Sequence, residues 1–188
     1  MSLSAVILAG GKSSRMGEDK ALLPYKEFST LVEYQYIKLK DIFNNVYISS
    51  KNNKFPFKSN IITDEFSSYS PLGAIISSLE YIKDDIFILS VDMPLIDKEI
   101  INKLVINYKE HKNSYDIFIA KSYNGLEPTV AIYTQKSLKL AYLQYRMNDY
   151  KLLNLIKKSK YKAIYFKEDK KFININFKED YKKLLNLK

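Results

Sequence analysis

Ala5-Val6-Ile7-Leu8-Ala9-Gly10-Gly11-Lys12-Ser13-Ser14-Arg15-Met16-Gly17-Glu18-Asp19-Lys20 is the stretch from which the rest of the chain is read. Ala5–Leu8 is an unbroken apolar run and reads as a strand buried on both faces. It breaks directly into glycine: Gly10, Gly11 and Gly17 are three of only five glycines in the chain. A glycine-rich turn at the carboxyl end of a parallel strand lets backbone N–H groups approach a phosphate chain with no Cβ in the way. Lys12, Arg15 and Lys20 add positive charge, so the stretch offers both donors and cations to a triphosphate. Two other phosphate loops are excluded by position. The pattern G-x-x-x-x-G-K-[ST] needs glycine where the chain has Val6, and G-x-G-x-x-G needs one where it has Lys12.

Downstream, β-branched runs alternate with helical patterns, the layout of a predominantly parallel sheet with helices on both faces. Strands are expected at Val46–Ser49, Ile61–Thr63, Ile86–Val91, Asp116–Ala120, Thr129–Tyr133 and Lys162–Phe166. Helices are expected over Thr30–Phe43, from Pro71 through Ile82, over Lys98–Lys109, Lys136–Tyr145 and Lys151–Lys158, and from Lys178. No repeat, low-complexity tract or linker interrupts the pattern. The fold class is therefore α/β, three-layer and Rossmann-like, in a single domain over residues 1–188.

Composition narrows the function classes. The chain has 188 residues, 46% of them hydrophobic, enough for a sizeable core and too apolar for a disordered chain. With no cysteine it has no disulfide, thiol nucleophile or Cys-ligated zinc. The single histidine, His111, has no second histidine to share a zinc ion with, and beside Lys109 and Lys112 it is expected to be exposed. No apolar run approaches the ~20 residues of a membrane span, and the apolar stretch before Gly10 is too short for a signal peptide. A cytoplasmic protein that binds no membrane is the expectation. The net charge of +9 is uneven: residues 1–100 carry 11 basic and 13 acidic side chains, residues 101–188 carry 19 and 8. An exposed lysine-rich surface accounts for this excess without nucleic acid; a non-catalytic polyanion-binding module is the remote alternative. Of the 30 basic residues only Arg15 and Arg146 are arginine, and a planar fork suits phosphate or carboxylate.

Two further positions carry chemistry. Asp92 follows the most apolar strand, so it lies at the carboxyl edge of the sheet, where open α/β sheets bind ligands. Pro94 turns the chain there, and Asp97 is the better cap for the next helix. A lone carboxylate beside phosphates suits Mg²⁺, which takes one or two protein carboxylates and keeps waters. Asn174 and Asn176, two apart in an expected strand, would face one side and line a cleft.

The segment Leu8–Lys20 resembles the L-A-G-G-x-S-x-R-M-G-x-D-K segment of the molybdenum cofactor guanylyltransferases, the MobA family of nucleotidyltransferases. Asp92-Met93-Pro94 is similar to the family's magnesium-binding D-x-P, and Pro71-Leu72-Gly73 to its G-P-L-x-G segment, with Ser70 in place of glycine. Glu127-Pro128-Thr129 resembles a segment opening a strand. Asn174-Ile175-Asn176 with Glu179-Asp180 is similar to N-x-N-T-P-E-D, with Phe177 and Lys178 in place of Thr-Pro. The resemblance implies GTP contacts from Leu8, Ala9, Gly10, Gly11, Lys20, Asp64, Pro71, Leu72, Gly73 and Asp92. It also implies one from Ser49, which replaces an asparagine; Asn52 is the other candidate. It implies Arg15, Lys20 and Asp92 as the catalytic set, Asp92 as ligand of Mg²⁺, and Asn174 and Asn176 on the acceptor side. The implied activity is transfer of GMP from GTP to the molybdenum–molybdopterin cofactor, releasing pyrophosphate. Implied partners are that cofactor and, transiently, other cofactor-biosynthesis proteins or recipient molybdoenzymes. A cytidylyltransferase for the same cofactor, or an enzyme acting on a sugar or polyol phosphate, remains the alternative.

Overall fold

The computed structural model describes residues 3–10, 17–68 and 70–186. Its centre is a seven-stranded sheet in the order β3-β2-β1-β4-β6-β5-β7. The strands are β1 (Ser4–Leu8), β2 (Val46–Ser50), β3 (Asn60–Thr63), β4 (Ile86–Ser90), β5 (Ile117–Ser122), β6 (Gly125–Tyr133) and β7 (Tyr161–Tyr165). β1 pairs in parallel with both β2 and β4, and every residue of β1 is buried. Alternate side chains go to opposite faces, as the pleat requires. Ala5 and Ile7 join one core, Val6 and Leu8 the other.

Six α-helices cover the two faces among the described residues: α1 (Leu31–Lys40), α2 (Pro71–Ile82), α3 (Lys98–His111), α4 (Leu138–Arg146), α5 (Leu152–Lys158) and α6 (Lys178–Leu185). Residues of α1, α3 and α6 pack into one core; residues of α2, α4 and α5 pack into the other. Starts are set by local chemistry. Thr30 caps α1 by accepting from the Glu33 N–H at 3.1 Å, and Asp97 caps α3 through Ile100 N–H at 3.1 Å, as its position implies. Ser70 caps α2 through the Gly73 N–H, with Pro71 in the first turn where its missing N–H costs nothing. α6 starts at Phe177, which has no capping oxygen. Asp180 compensates by accepting from Asn176 N–H at 3.0 Å and Phe177 N–H at 2.9 Å, and these bonds hold its carboxyl below the usual range.

Several expectations are corrected. α1 is shorter than Thr30–Phe43, and the expected helix from Lys136 begins as a 3₁₀ turn at Gln135–Ser137. β6 begins four residues earlier than Thr129 and forms an antiparallel hairpin with β5, so one strand of the parallel sheet runs backwards. The turn is Tyr123-Asn124, followed by Gly125 at φ +128°, a conformation that favours glycine. Residues 174–176 form no strand; they run beside the Asp92 loop, joined to it by Ile175 N–H donating to Asp92 O at 2.9 Å. His111 is half-buried rather than exposed: its ring nitrogens lie 3.1 Å from Asn107 O and 3.2 Å from Lys162 Nζ.

Candidate active site

The carboxyl ends of β1, β2, β3 and β4 share one edge of the sheet because all four strands are parallel. Nearly every residue singled out in the sequence follows one of these ends. Leu8 and Ala9 are buried, and Ala9 N–H donates to Ser49 O at 3.0 Å, so β1 stays pinned to β2 up to the turn. Gly10 is exposed, and a Cβ there would meet only ordinary contacts, with Ser50 Cα at 3.9 Å and Ser49 O at 4.0 Å. Packing therefore does not demand glycine at this position. Gly11 and Arg15 lie outside the described residues.

Lys20 and Asp92 come together across this edge. Asp19 caps the short 3₁₀ turn Lys20–Leu22 through Ala21 N–H and is itself ion-paired with Lys54. That fixes the base of Lys20, whose Nζ lies 3.9 Å from Asp92 Oδ2 and donates to Asn176 Oδ1 at 3.0 Å. Asp92 Oδ2 faces the lysine, whereas Oδ1 is buried with no hydrogen-bond partner among the described residues. Leaving a buried carboxylate oxygen unsatisfied costs about 1–3 kcal/mol. Such an oxygen fits a cation. No cluster of three or more His, Cys, Asp or Glu gathers among the described residues, so an ion here would be shared between Asp92 and substrate phosphates, as Mg²⁺ commonly is.

On the other flank, Asp64 is buried and bound to Lys51, with Nζ to Oδ2 at 2.9 Å. Its Oδ1 accepts from Phe66 N–H at 3.1 Å, closing a tight turn against Gly73. Pro71, Leu72 and Gly73 form the first turn of α2, so the positive end of the helix faces this corner, with Gly73 N–H taken up by Ser70 Oγ. Ser49 is buried at the end of β2, and its Oγ, like that of Ser50, has no partner among the described residues. Asn174 is exposed, while Asn176 is half-buried and accepts from Lys20 Nζ.

β6, running backwards, delivers its first residues to the same edge. Between Ile119 and Ala120 the pairing skips, so Pro128-Thr129-Val130 bulges out opposite β5. Proline there removes a ladder donor and tolerates the break. Thr129 Oγ1 reaches Met93 Sδ at 3.5 Å, tying the bulge to the Asp92 loop. Glu127 accepts from Ser122 Oγ at 2.7 Å, and burial pushes its carboxyl up from the usual range. Sequence reasoning missed Lys51 and the hold of α1 on the Asp92 loop, where Gln35 reaches Ser90 O and Lys38 reaches Pro94 O and Ile96 O. A glutamine at a core position of α1, wholly buried among apolar neighbours, is the signal that could have found the latter.

Gly10, the start of α2, Lys20 and Asp92, gathered at one parallel-sheet edge, fit a nucleotidyltransferase. Residues 5–164 match the MobA-like NTP transferase domain, and the chain belongs to that family. It is 36% identical over 170 residues to the molybdenum cofactor guanylyltransferase of Campylobacter jejuni subsp. doylei, covering 89% of this chain and 87% of that protein. It is 31% identical over 173 residues to the protein of the same name from Helicobacter pylori strain G27, covering 89% and 84%. Its fold superimposes with a TM-score of 0.81 on molybdopterin-guanine dinucleotide biosynthesis protein A from Archaeoglobus fulgidus, at 19% identity and 98% coverage of both chains. No helix among the described residues is long and apolar enough to cross a membrane.

Proposed function

We propose that this enzyme transfers GMP from GTP to the molybdenum–molybdopterin cofactor. The observation that carries the reading is the meeting of Lys20, Asp92 and Asn176 at the sheet edge, with Asp92 Oδ1 left unsatisfied among the described residues. In the reaction a terminal phosphate oxygen of the cofactor forms a bond to the α-phosphorus of GTP. The bond from that phosphorus to the bridging oxygen breaks, and pyrophosphate leaves with the electron pair. The attacking phosphate is already ionised, so no general base is required. The protein's work is alignment and charge neutralisation.

Each group has a task. The backbone at Leu8, Ala9, Gly10 and Gly11 cradles the phosphates. Lys20, held by Asn176, offsets charge as pyrophosphate departs, and Arg15 adds a bidentate contact. Asp64, Ser49 and the Pro71-Leu72-Gly73 turn hold the nucleoside. Asp92 holds Mg²⁺, which when bound neutralises charge on the triphosphate and the leaving pyrophosphate. Asn174 meets the acceptor, while Asn176 serves both sides through Lys20. The whole chain acts as one domain: the first half binds the nucleotide and the basic second half receives the anionic cofactor. The reaction belongs in the cytoplasm, with transient hand-over to cofactor-biosynthesis proteins or recipient molybdoenzymes.

The test is direct. The protein is incubated with each of GTP, CTP, ATP and UTP, with Mg²⁺ and molybdenum cofactor, and the dinucleotide product is identified by mass. Guanine dinucleotide formed from GTP alone is the expected result. Product from CTP, or from a sugar or polyol phosphate acceptor, would overturn the assignment.

A further inference from the structure

The loop that carries Asp92 runs from the end of β4 to the cap of α3 at Asp97, outside any ladder of hydrogen bonds. Internally it has only the turn-like bonds from Met93 N–H to Ser90 O at 3.2 Å and from Ile96 N–H to Met93 O at 3.4 Å. Pro94 has no N–H to add. Val91 N–H to Leu8 O at 3.1 Å, Ile175 N–H to Asp92 O at 2.9 Å and the Thr129–Met93 contact tie the loop from outside, and two side chains from α1 add further restraint. Gln35 donates through Nε2 to Ser90 O at 3.4 Å, and Lys38, one turn further on, donates through Nζ to Pro94 O at 3.1 Å and Ile96 O at 2.7 Å. Residues at i and i+3 lie on one helix face, so a single face grips carbonyls on both sides of Asp92.

We infer that Gln35 and Lys38 are positioning residues that set the Asp92 carboxylate for its cation and for turnover. The inference rests on the reading of Asp92 as the metal ligand. Lys38 is an expensive way merely to fill space. Its side chain is half-buried, and burial pushes its ammonium down to about 7 against the opposing pull of Asp97, with Lys26 adding to the lowering. The Tyr34 ring, 5.1 Å from Nζ, closes another side. A leucine or methionine would pack there without this cost. What an apolar residue cannot do is donate to two carbonyls of the Asp92 loop at once. Mg²⁺ requires near-ideal octahedral geometry, so small displacements of its carboxylate are felt strongly. Neighbours that orient a ligand typically matter about 10–100-fold in metal affinity or activity.

The experiment uses the full chain and Lys38→Met, Lys38→Arg, Gln35→Met and Asp92→Asn. GTP affinity is measured by calorimetry in EDTA and again in saturating Mg²⁺; the ratio of the two reports metal coupling without catalysis. Lys38→Met is expected to bind GTP within twofold of wild type in EDTA and to lose about tenfold of the metal-dependent tightening. Its kcat should fall about tenfold or more, and KM for GTP, measured in Mg²⁺, should rise with the lost tightening. Lys38→Arg, which can still reach two carbonyls, should recover part of both. A folded Lys38→Met with normal coupling and kcat overturns the inference, even if its melting temperature falls. So does an equal loss of affinity in EDTA, which would mean general damage. Should Lys38→Met fail to fold, Gln35→Met faces the same criteria. Asp92→Asn separates the two readings. If it keeps its metal coupling, the metal assignment fails and the positioning inference falls with it. If it loses coupling while Lys38→Met does not, only the positioning inference is wrong.

Discussion

Gly73→Ala probes the nucleoside side of the site through geometry alone. Gly73 is the third residue of α2, a position where alanine would ordinarily help by roughly 0.5–1 kcal/mol. Here an added Cβ would stand 2.8 Å from Phe66 Cβ, 3.2 Å from Phe66 Cγ and 3.4 Å from Asp64 Oδ1. The nearest atom is not the far end of a flexible side chain. Phe66 Cβ moves only with its backbone, and that backbone is tied down by its N–H to Asp64 Oδ1 and by Lys51 on its carbonyl oxygen. The Phe66 ring packs edge-on against Tyr145 at 4.6 Å, so retreat is blocked on that side as well. Inserting one methyl into a closed contact costs typically 1–3 kcal/mol. After the helical gain, the net loss should be about 1–2 kcal/mol, a fall in melting temperature of roughly 2–8 °C for a chain of this size. Because the segment that must shift carries Asp64, GTP affinity should fall about tenfold, equivalent to about 1.4 kcal/mol. Urea denaturation and a GTP titration on the same preparation measure both. A mutant as stable as wild type with unchanged GTP affinity would show that the 64–66 turn yields freely, and the argument would be wrong.

The remaining expectations concern charge. Asp92→Asn keeps the size of the side chain and removes its charge, so turnover should fall by about a hundredfold or more, read by pyrophosphate release; near-normal release would remove Asp92 from the site. Lys20→Met should lower turnover on the order of a hundredfold. Asn176→Ala should lower it less, by loosening Lys20, whereas exposed Asn174→Ala should spare GTP binding and weaken only use of the cofactor; identical profiles for the two asparagine mutants would refute this split. Lys38 gives a pH signature of known sign. Its folded value lies near 7 against an ordinary 10.5, so between these the unfolded chain binds one more proton and stability rises with pH. The slope from this one group reaches at most about 1.4 kcal/mol per pH unit. Urea midpoints of wild type minus Lys38→Met, taken from pH 6.5 to 9.5, should show it; a flat difference would contradict the lowered value.

What could be read from the sequence follows from what is local. β1 and β4 announce themselves because strands buried on both faces must be apolar at every position, and Ala5–Leu8 and Ile86–Leu89 are. Caps at Asp97 and the proline start of α2 depend on near neighbours and were legible too. The hairpin was not inferred, although Asn124-Gly125 between two strand patterns was the available cue. Asn174 and Asn176 were assigned to a strand because alternation with Ile175 looks the same in any extended segment; Ile175 is indeed buried between them. The contact of Asn176 with Lys20 spans 156 residues and has no local trace. The same holds for Lys38, which in sequence is one of many lysines and in the fold is the one donating to the loop after Asp92.

The backward strand has a consequence for synthesis. Among the strands that flank β4, β1 precedes it in the chain, but β6 arrives only after α3, β5 and the hairpin turn have been made. Until then β4, with Ile86–Leu89 all apolar and wholly buried in the finished fold, presents one bare edge with unpaired N–H and C=O groups. A growing chain that has reached residue 116 therefore carries the nucleotide-side strands together with a sticky seam, the state in which nascent chains aggregate or recruit chaperones. The hairpin that brings Thr129 to the Asp92 loop is thus also the piece that seals the sheet. Truncations ending before Gly125 should be insoluble even though β1–β4 and their helices are all present.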